Sequence, residues 1–233
     1  MRLLLTGSHD PYLNLAIEEY LMKHSDEDYF LLWQNEPTVV IGKNQNLYAE
    51  VNLEETEARN IHVSRRITGG GAVYHDLGNV NYSFITSRSR AQVLDFAYFT
   101  KPVVEALESM GLTVTLSGRN DLLVKIPGED TEAKISGNAQ AATDTRILHH
   151  GTLLFDSDLE VLSQVLKPAQ EKLRSKGIAS VRSRVTNLRR CLPAGQDCET
   201  EEFFCRLIRF AEKKWNTRAE VFSAPDSLPE ELR

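Results

Sequence analysis

Strand and helix patterns in this sequence come in runs instead of alternating one for one, and that segregation limits the fold more than any other feature. Pro11 and the following YLNLAIEEYLMKH read as an amphipathic helix, with Leu13, Ile17, Tyr20 and Leu21 forming an apolar stripe. Two short apolar runs follow, residues 30–33 and 38–41, and the Asn-Glu-Pro between them suggests a hairpin or paired strands. Residues 61–65 read as a strand. In residues 79–85, Asn79, Asn81 and Ser83 alternate with Val80, Tyr82 and Phe84, a strand with one polar and one apolar face. A long helix over 91–110 ends at Gly111. Strands at 113–116 and 121–126 precede a Pro127-Gly128 turn, and strands at 132–142 and 147–155 come next. Helices at 158–165 and 200–215 flank an irregular basic stretch, and a last strand covers 219–222. This order predicts an α+β fold, a central mixed or antiparallel sheet flanked by helices, and not a doubly wound one.

The 233 residues suit one domain that buries its core without disulfide or metal support. A net charge of -6 argues against general nucleic-acid binding. No apolar stretch approaches the roughly 20 residues that a membrane helix needs. Cys191, Cys198 and Cys205, an odd count with no signal peptide ahead of them, suggest a reducing cytoplasm. Their ordinary role is as small buried hydrophobes, and no CxxC or HExxH spacing occurs.

Four stretches carry candidate chemistry. In RRITGGGAVYHD, residues 65–76, three glycines permit backbone conformations and close approaches that a Cβ forbids. Their N–H groups can form an anion-binding nest, and Arg65 and Arg66 supply bidentate donors for phosphate or carboxylate. The stretch is neither GxxxxGK[ST] nor a complete GxGxxG, so neither standard nucleotide fold is signalled. SGRNDLLV, residues 117–124, reads as a turn entering a strand, with Asp121 suited to holding a metal ion or orienting an adenylate. In AKISGNAQ, simple alternation puts Lys134, Ser136, Asn138 and Gln140 on one face. A lysine on a firm strand beside a phosphate-binding loop can neutralise charge as a carboxylate attacks an α-phosphate. His149 and His150 in LHHGTLLF face opposite sides of a strand, so one of them is structural; either is a candidate general base, and no third ligand suggests zinc.

RRITGGGAVYHD, GRNDLLV, KISGNAQ, HHGTLLF and GIASVRSRVTNL, in this order and joined by LNLAIEEYL and PTVVIGKNQN, resemble the lipoate–protein ligase A family of the biotin/lipoate ligase superfamily. The resemblance implies a class II synthetase/biotin-ligase-like fold. It implies activation of lipoate with ATP and magnesium to lipoyl-AMP, then transfer of the lipoyl group to a lysine of an acceptor protein. The implied acceptors are the apo lipoyl domains of 2-oxoacid dehydrogenase acyltransferase subunits and the glycine-cleavage H protein. By the same resemblance, Lys134 is catalytic and sits between the lipoyl carbonyl and the phosphate. Arg66, Gly71, Ala72, Val73 and Tyr74 lie on the nucleotide, with Asn120 and Asp121 on the adenylate or metal side. Arg65, Gly69, Gly70, Gly71 and His75 lie along the lipoate, joined by Ser136, Gly137 and His149. Residues 180–188 match a family segment near the adenylate, and Arg182 and Arg184 are also suited to guiding an acidic lipoyl domain. Residues 172–184 are the candidate for a loop that closes over the intermediate.

Long family members continue into a small accessory domain, so residues 1–233 are expected to form the catalytic domain alone, a cytoplasmic monomer. That raises the alternative of a lipoyltransferase using preformed lipoyl-AMP. Three rivals are weaker. A thioester-forming acyltransferase needs a cysteine shortly before the KISG motif, and GRNDLLVKIPGEDTEA has none. A biotin ligase carries a different Gly-Arg-rich loop. A silent binding module would not need Arg66, Lys134 and the glycines together.

Overall fold

The structure is a computed structural model that describes residues 1–118, 120–167 and 185–222. Eleven strands are found among these residues: β1 (Arg2–Leu5), β2 (Tyr29–Trp33), β3 (Thr38–Ile41), β4 (His62–Arg65), β5 (Val73–His75), β6 (Asn79–Ser87), β7 (Val114–Ser117), β8 (Asp121–Lys125), β9 (Glu132–Ala142), β10 (Arg146–Leu154) and β11 (Ala219–Val221). Eight of them form one sheet in the order β11-β1-β2-β6-β10-β9-β8-β7, and the other three form a small sheet, β4-β3-β5. β1 runs parallel to both of its neighbours, and from β2 to β7 every pairing is antiparallel. The fold is therefore α+β around a mixed sheet, as the segregated pattern predicts.

Helices cover both faces of the large sheet. On one face α4 (Phe96–Ser109) and the C-terminal helix α6 (Thr200–Trp215) pack on Leu3, Phe30, Leu32, Val80, Tyr82 and Phe84. Phe203 of α6 stacks on Phe155 with ring centroids 4.1 Å apart. Each such fully buried side chain contributes about 1.5–3 kcal/mol. On the other face lies α1 (Pro11–His24), whose N-terminus Asp10 caps by accepting from the Tyr12 and Leu13 amides. It buries Ile17, Leu21 and Met22, and with them two polar residues, Asn14 and Glu18. Leu13 of the expected stripe is 41% exposed, because the helix turns this polar pair inward instead. Short helices α2 (Leu47–Glu50), α3 (Leu53–Ala58) and α5 (Leu159–Val165) pack around the small sheet.

Two expectations change, in the pairing of two strands and in the start of a helix. The runs at 30–33 and 38–41 do not pair with each other: β2 sits between β1 and β6, whereas β3 sits between β4 and β5. The polar face that alternation gives β6 is buried, since Asn79, Asn81 and Ser83 are at most 1% exposed. The helix expected over 91–110 starts only at Phe96, after Leu94 in a left-handed conformation (φ 67°) and the cap Asp95. Among the described residues no helix is long and apolar enough to cross a membrane. Cys191, Cys198 and Cys205 are free thiols; Cys191 is buried in the core and the other two are half-buried. The proposed closing loop, with Arg182 and Arg184, lies outside the described residues.

Candidate functional site

The polar face of β6 and its neighbours is the floor of a cavity of about 250 Å³ between the large sheet and the small one. Asn81, His150 and Thr152 line it from the floor, and Gly70, Gly71, Ala72 and Val73 from the opposite side. Asn120, Asp121, Lys134 and Gly137 also contribute.

Lys134 reaches this cavity because of an irregularity in the sheet. Along β8 and β9 the register runs Asp121 to Gly137, Leu122 to Ser136, and then Leu123 to Lys134. Ile135 is the extra residue of a β-bulge, which resets the alternation. Ser136 consequently turns with Leu122 toward the buried side, and Lys134 shares a face with Gly137 and Asp121. This corrects the uniform alternation expected for AKISGNAQ. The ammonium of Lys134 lies 2.8 Å from Asp121 Oδ1, with both side chains between a quarter and a third exposed.

The glycine loop is organised from within. Arg66 is 6% exposed, and its guanidinium donates to the carbonyls of Val40 (3.1 Å), Gly69 (2.8 Å) and Gly71 (2.7 Å) and to Thr68 Oγ1 (2.9 Å). Burial pulls its pKa down to about 10, which still leaves it protonated near neutrality, and Glu18 offsets part of that cost. With the Gly69 and Gly71 carbonyls turned to Arg66, the N–H groups of Gly70 and Ala72 in the same trans peptide units point away from it. Gly70 has φ 93°, and its carbonyl passes 2.3 Å from where a Cβ on Gly42 would sit, so both positions require glycine.

A buried hydrogen-bonded chain runs below this loop. Thr68 Oγ1 lies 2.8 Å from His150 Nε2, and His150 Nδ1 lies 3.0 and 3.1 Å from the two Glu18 oxygens. Ser83 donates to Glu18, and Trp33 Nε1 donates to Ser83 over 2.9 Å. Beside this chain His75 Nδ1 faces Asn35 Nδ2 at 3.1 Å, which assigns the proton to Nε2, a buried atom with no hydrogen-bond partner among the described residues.

Several residues expected at the site lie elsewhere. Arg65 donates to the carbonyls of Gly42, Lys43 and Gln45 and does not line the cavity. Tyr74 is buried in the core of the small sheet, its hydroxyl pushed up to about 12 by burial and then by Asp76 and Asp158. Gly69 and Ser136 are also absent from the lining. His149 points to the opposite side of the sheet, stacked 4.9 Å from Phe99 and bonded to Gln140 (2.9 Å) and Asn138 Oδ1 (3.1 Å). Its neighbour His150 lines the cavity in its place. Asn138 links the two sides: it lines the cavity, exchanges bonds with Asn120, and accepts from Tyr82 and His149. Glu18 and Trp33 belong to no motif of the sequence; a carboxylate on the apolar face of α1 was the signal for the first, whereas Asn81 lies on the polar face expected for the 79–85 strand. Among the described residues no group of three or more His, Cys, Asp or Glu side chains is placed to hold a metal ion, and Asp121 is the only carboxylate lining the cavity.

The buried histidines give the fold a defined acid sensitivity. Burial, then Arg66 and His150, lower the His75 pKa to about 3, and burial holds His149 well below its ordinary value. The unfolded chain therefore takes up these protons first. Their contribution to stability is complete above pH 6.5 and is lost as pH falls below it, for His75 toward 3, with a slope of about 1.4 kcal/mol per pH unit per histidine. Asp76, whose carboxyl burial pushes up, acts in the opposite sense. Denaturant titrations between pH 6.5 and 4.5 should show this loss, with a shallower slope for His75→Gln. An equal slope for the variant would rule out a buried neutral His75.

The model of the lipoyl protein ligase A/B catalytic domain matches residues 10–211. A curated relative, the lipoate–protein ligase LplJ of Bacillus subtilis, is 48% identical over 86% of this chain, and the match covers 59% of that protein. The chain thus spans about three-fifths of that relative's length. Among solved structures, the bipartite lipoate–protein ligase of Thermoplasma acidophilum, described with its E2 lipoyl domain, superposes with a TM-score of 0.79 at 30% identity, covering 95% of this chain and 87% of that one. A lipoate–protein ligase A bound with ATP gives 0.72 at 26% identity, covering 97% and 89%.

Proposed function

Because the chain belongs to the lipoyl protein ligase A/B catalytic domain family, we propose that it activates lipoate with ATP and passes the lipoyl group to a lysine of a lipoyl domain. The observation that carries this reading is the Lys134–Asp121 pair, which a β-bulge turns into the same cavity as the Arg66-held glycine loop.

A carboxylate is a poor electrophile, and adenylation supplies a leaving group. A carboxylate oxygen of lipoate attacks the α-phosphorus, the bond to the bridging oxygen breaks, and pyrophosphate departs. The acceptor ε-amine then attacks the lipoyl carbonyl carbon, loses a proton, and AMP leaves with the electron pair. Lys134 provides a cation where negative charge gathers in both steps, and Asp121 fixes the ammonium's position. The outward amides of Gly70 and Ala72 suit an anion, the phosphate or the lipoyl carboxylate. His75 Nε2–H, a buried donor without a partner among the described residues, would meet the acid.

Magnesium enters this reading only as a companion of the triphosphate. Such an ion keeps several waters and takes one or two carboxylates besides phosphate, a role for which Asp121 is the candidate. The acceptor class follows the E2 lipoyl domain named with the Thermoplasma ligase. The glycine-cleavage H protein is a second acceptor of the same chemistry. Free thiols at all three cysteines support a reducing cytoplasm as the place of action, and we take the active form as a monomer.

Two parallel reactions test the reading, each with an apo lipoyl domain followed by intact mass. One contains lipoate, ATP and magnesium, and the other contains synthetic lipoyl-AMP. Modification in both is the expected result for a complete ligase. Modification with lipoyl-AMP alone would make the chain a transferase awaiting a further part. Modification in neither would sink the activity.

A further inference from the structure

We propose that Glu18, which does not line the cavity, is a positioning residue that orders the glycine loop through His150 and Thr68. The inference rests on the function proposed above, because its effect is read on the adenylate-shaped ligand.

The argument follows the protons. Arg66 Nε can only donate, so Thr68 Oγ1 accepts from it at 2.9 Å. The Thr68 hydroxyl proton is then free to point at His150 Nε2, 2.8 Å away. With Thr68 donating, Nε2 accepts and the imidazole N–H lies on Nδ1, which faces both oxygens of Glu18. Ser83 and Trp33 add two more donors in line with the same carboxylate. Every donor in the chain therefore points toward Glu18, which is 1% exposed and can only accept when ionised. It also places a negative charge near the buried Arg66.

A glutamine at this position leaves one acceptor oxygen for Ser83 and His150 and sets an amide donor beside His150 Nδ1 in place of the other. Where that amide donates to His150 Nδ1, the imidazole proton moves to Nε2. Thr68 Oγ1 then faces two donors, Arg66 Nε and His150 Nε2, and its own hydroxyl must turn to the Gly69 carbonyl, 3.5 Å away. That carbonyl is the one Arg66 Nη2 holds. Competition at this point loosens the peptide units that direct the Gly70 and Ala72 amides. A valine at position 68 cuts the same chain at its middle link, and a serine preserves it.

The test is calorimetric binding of a non-reactive lipoyl-adenylate mimic, the lipoyl sulfamate of adenosine. Glu18→Gln and Thr68→Val should each bind about tenfold more weakly than the wild type. The double variant should bind no worse than the weaker single, since both cut one chain. Thr68→Ser should restore wild-type affinity, a rescue that lost packing alone would not give. Melting temperatures of all variants should identify any that fail to fold, and Thr68→Val and Thr68→Ser carry the test if Glu18→Gln is among them. Wild-type protein that does not bind the mimic would overturn the functional reading and the inference with it. Wild-type binding with unchanged affinity in Thr68→Val, or additive losses in the double variant, would overturn the inference alone.

Discussion

Lys134→Ala is expected to lower kcat/KM for lipoylation by a factor of about 10³, the scale of removing one preorganised donor from developing charge. The loss should appear with lipoyl-AMP as well as with lipoate and ATP, because both steps gather negative charge beside the same ammonium. The fold should survive. Lys134 and Asp121 are partly exposed, and a pair of this kind contributes about 1 kcal/mol or less. Lys134→Arg should not recover the activity, since the bulge delivers a compact ammonium and a planar guanidinium places its donors differently. Asp121→Asn should cost less, about 10–100-fold, because it frees the ammonium without removing it. Intact mass of the acceptor over time reads all three. Lys134→Ala within tenfold of the wild type would remove the lysine from the chemistry and leave it as a partner of Asp121.

The route by which Lys134 enters the cavity marks the limit of what periodicity reveals. The strand at 132–142 is plain in the sequence, and β9 has those bounds. The bulge at Ile135 is not, because it arises from pairing with β8, and nothing local distinguishes Ile135 from its neighbours. Parity counted along the strand therefore put Ser136 beside Lys134, whereas the register puts Gly137 there. His149 and His150 pose the same problem without a bulge. Alternation separates them, yet only the packing of α4 on one face and α1 on the other decides which faces the aromatic core and which the cavity. The β2 and β3 runs were visible as strands, but their assignment to two sheets depends on neighbours far along the chain, β6 for one and β5 for the other. The glycine loop was legible as a stretch of unusual backbone freedom because its composition is local. Arg65 and Arg66 looked equivalent in that stretch, and only the fold turns one to the surface and the other inward.

Arg66 itself supplies the sharpest separation of two roles. The resemblance puts it on the nucleotide, but its guanidinium already holds three carbonyls and the Thr68 hydroxyl. Arg66→Ala would strip those acceptors of their donor in a site where water has little access, and it would leave Glu18 buried without the nearby cation. Breaking such an arrangement typically costs about 3–5 kcal/mol. For a domain of this size that corresponds to a fall in Tm of roughly 6–20 °C. Arg66→Lys should fall in between, keeping the charge but reaching fewer of the carbonyls at once. Ligand affinity should drop in the same rank order as Tm, because the amides of Gly70 and Ala72 lose their orientation when the Gly69 and Gly71 carbonyls are released. Calorimetry of the three proteins, with and without the adenylate mimic, decides between the two roles. A Tm unchanged in Arg66→Ala alongside lost affinity would mean that the guanidinium meets the ligand directly and that the loop stands without it.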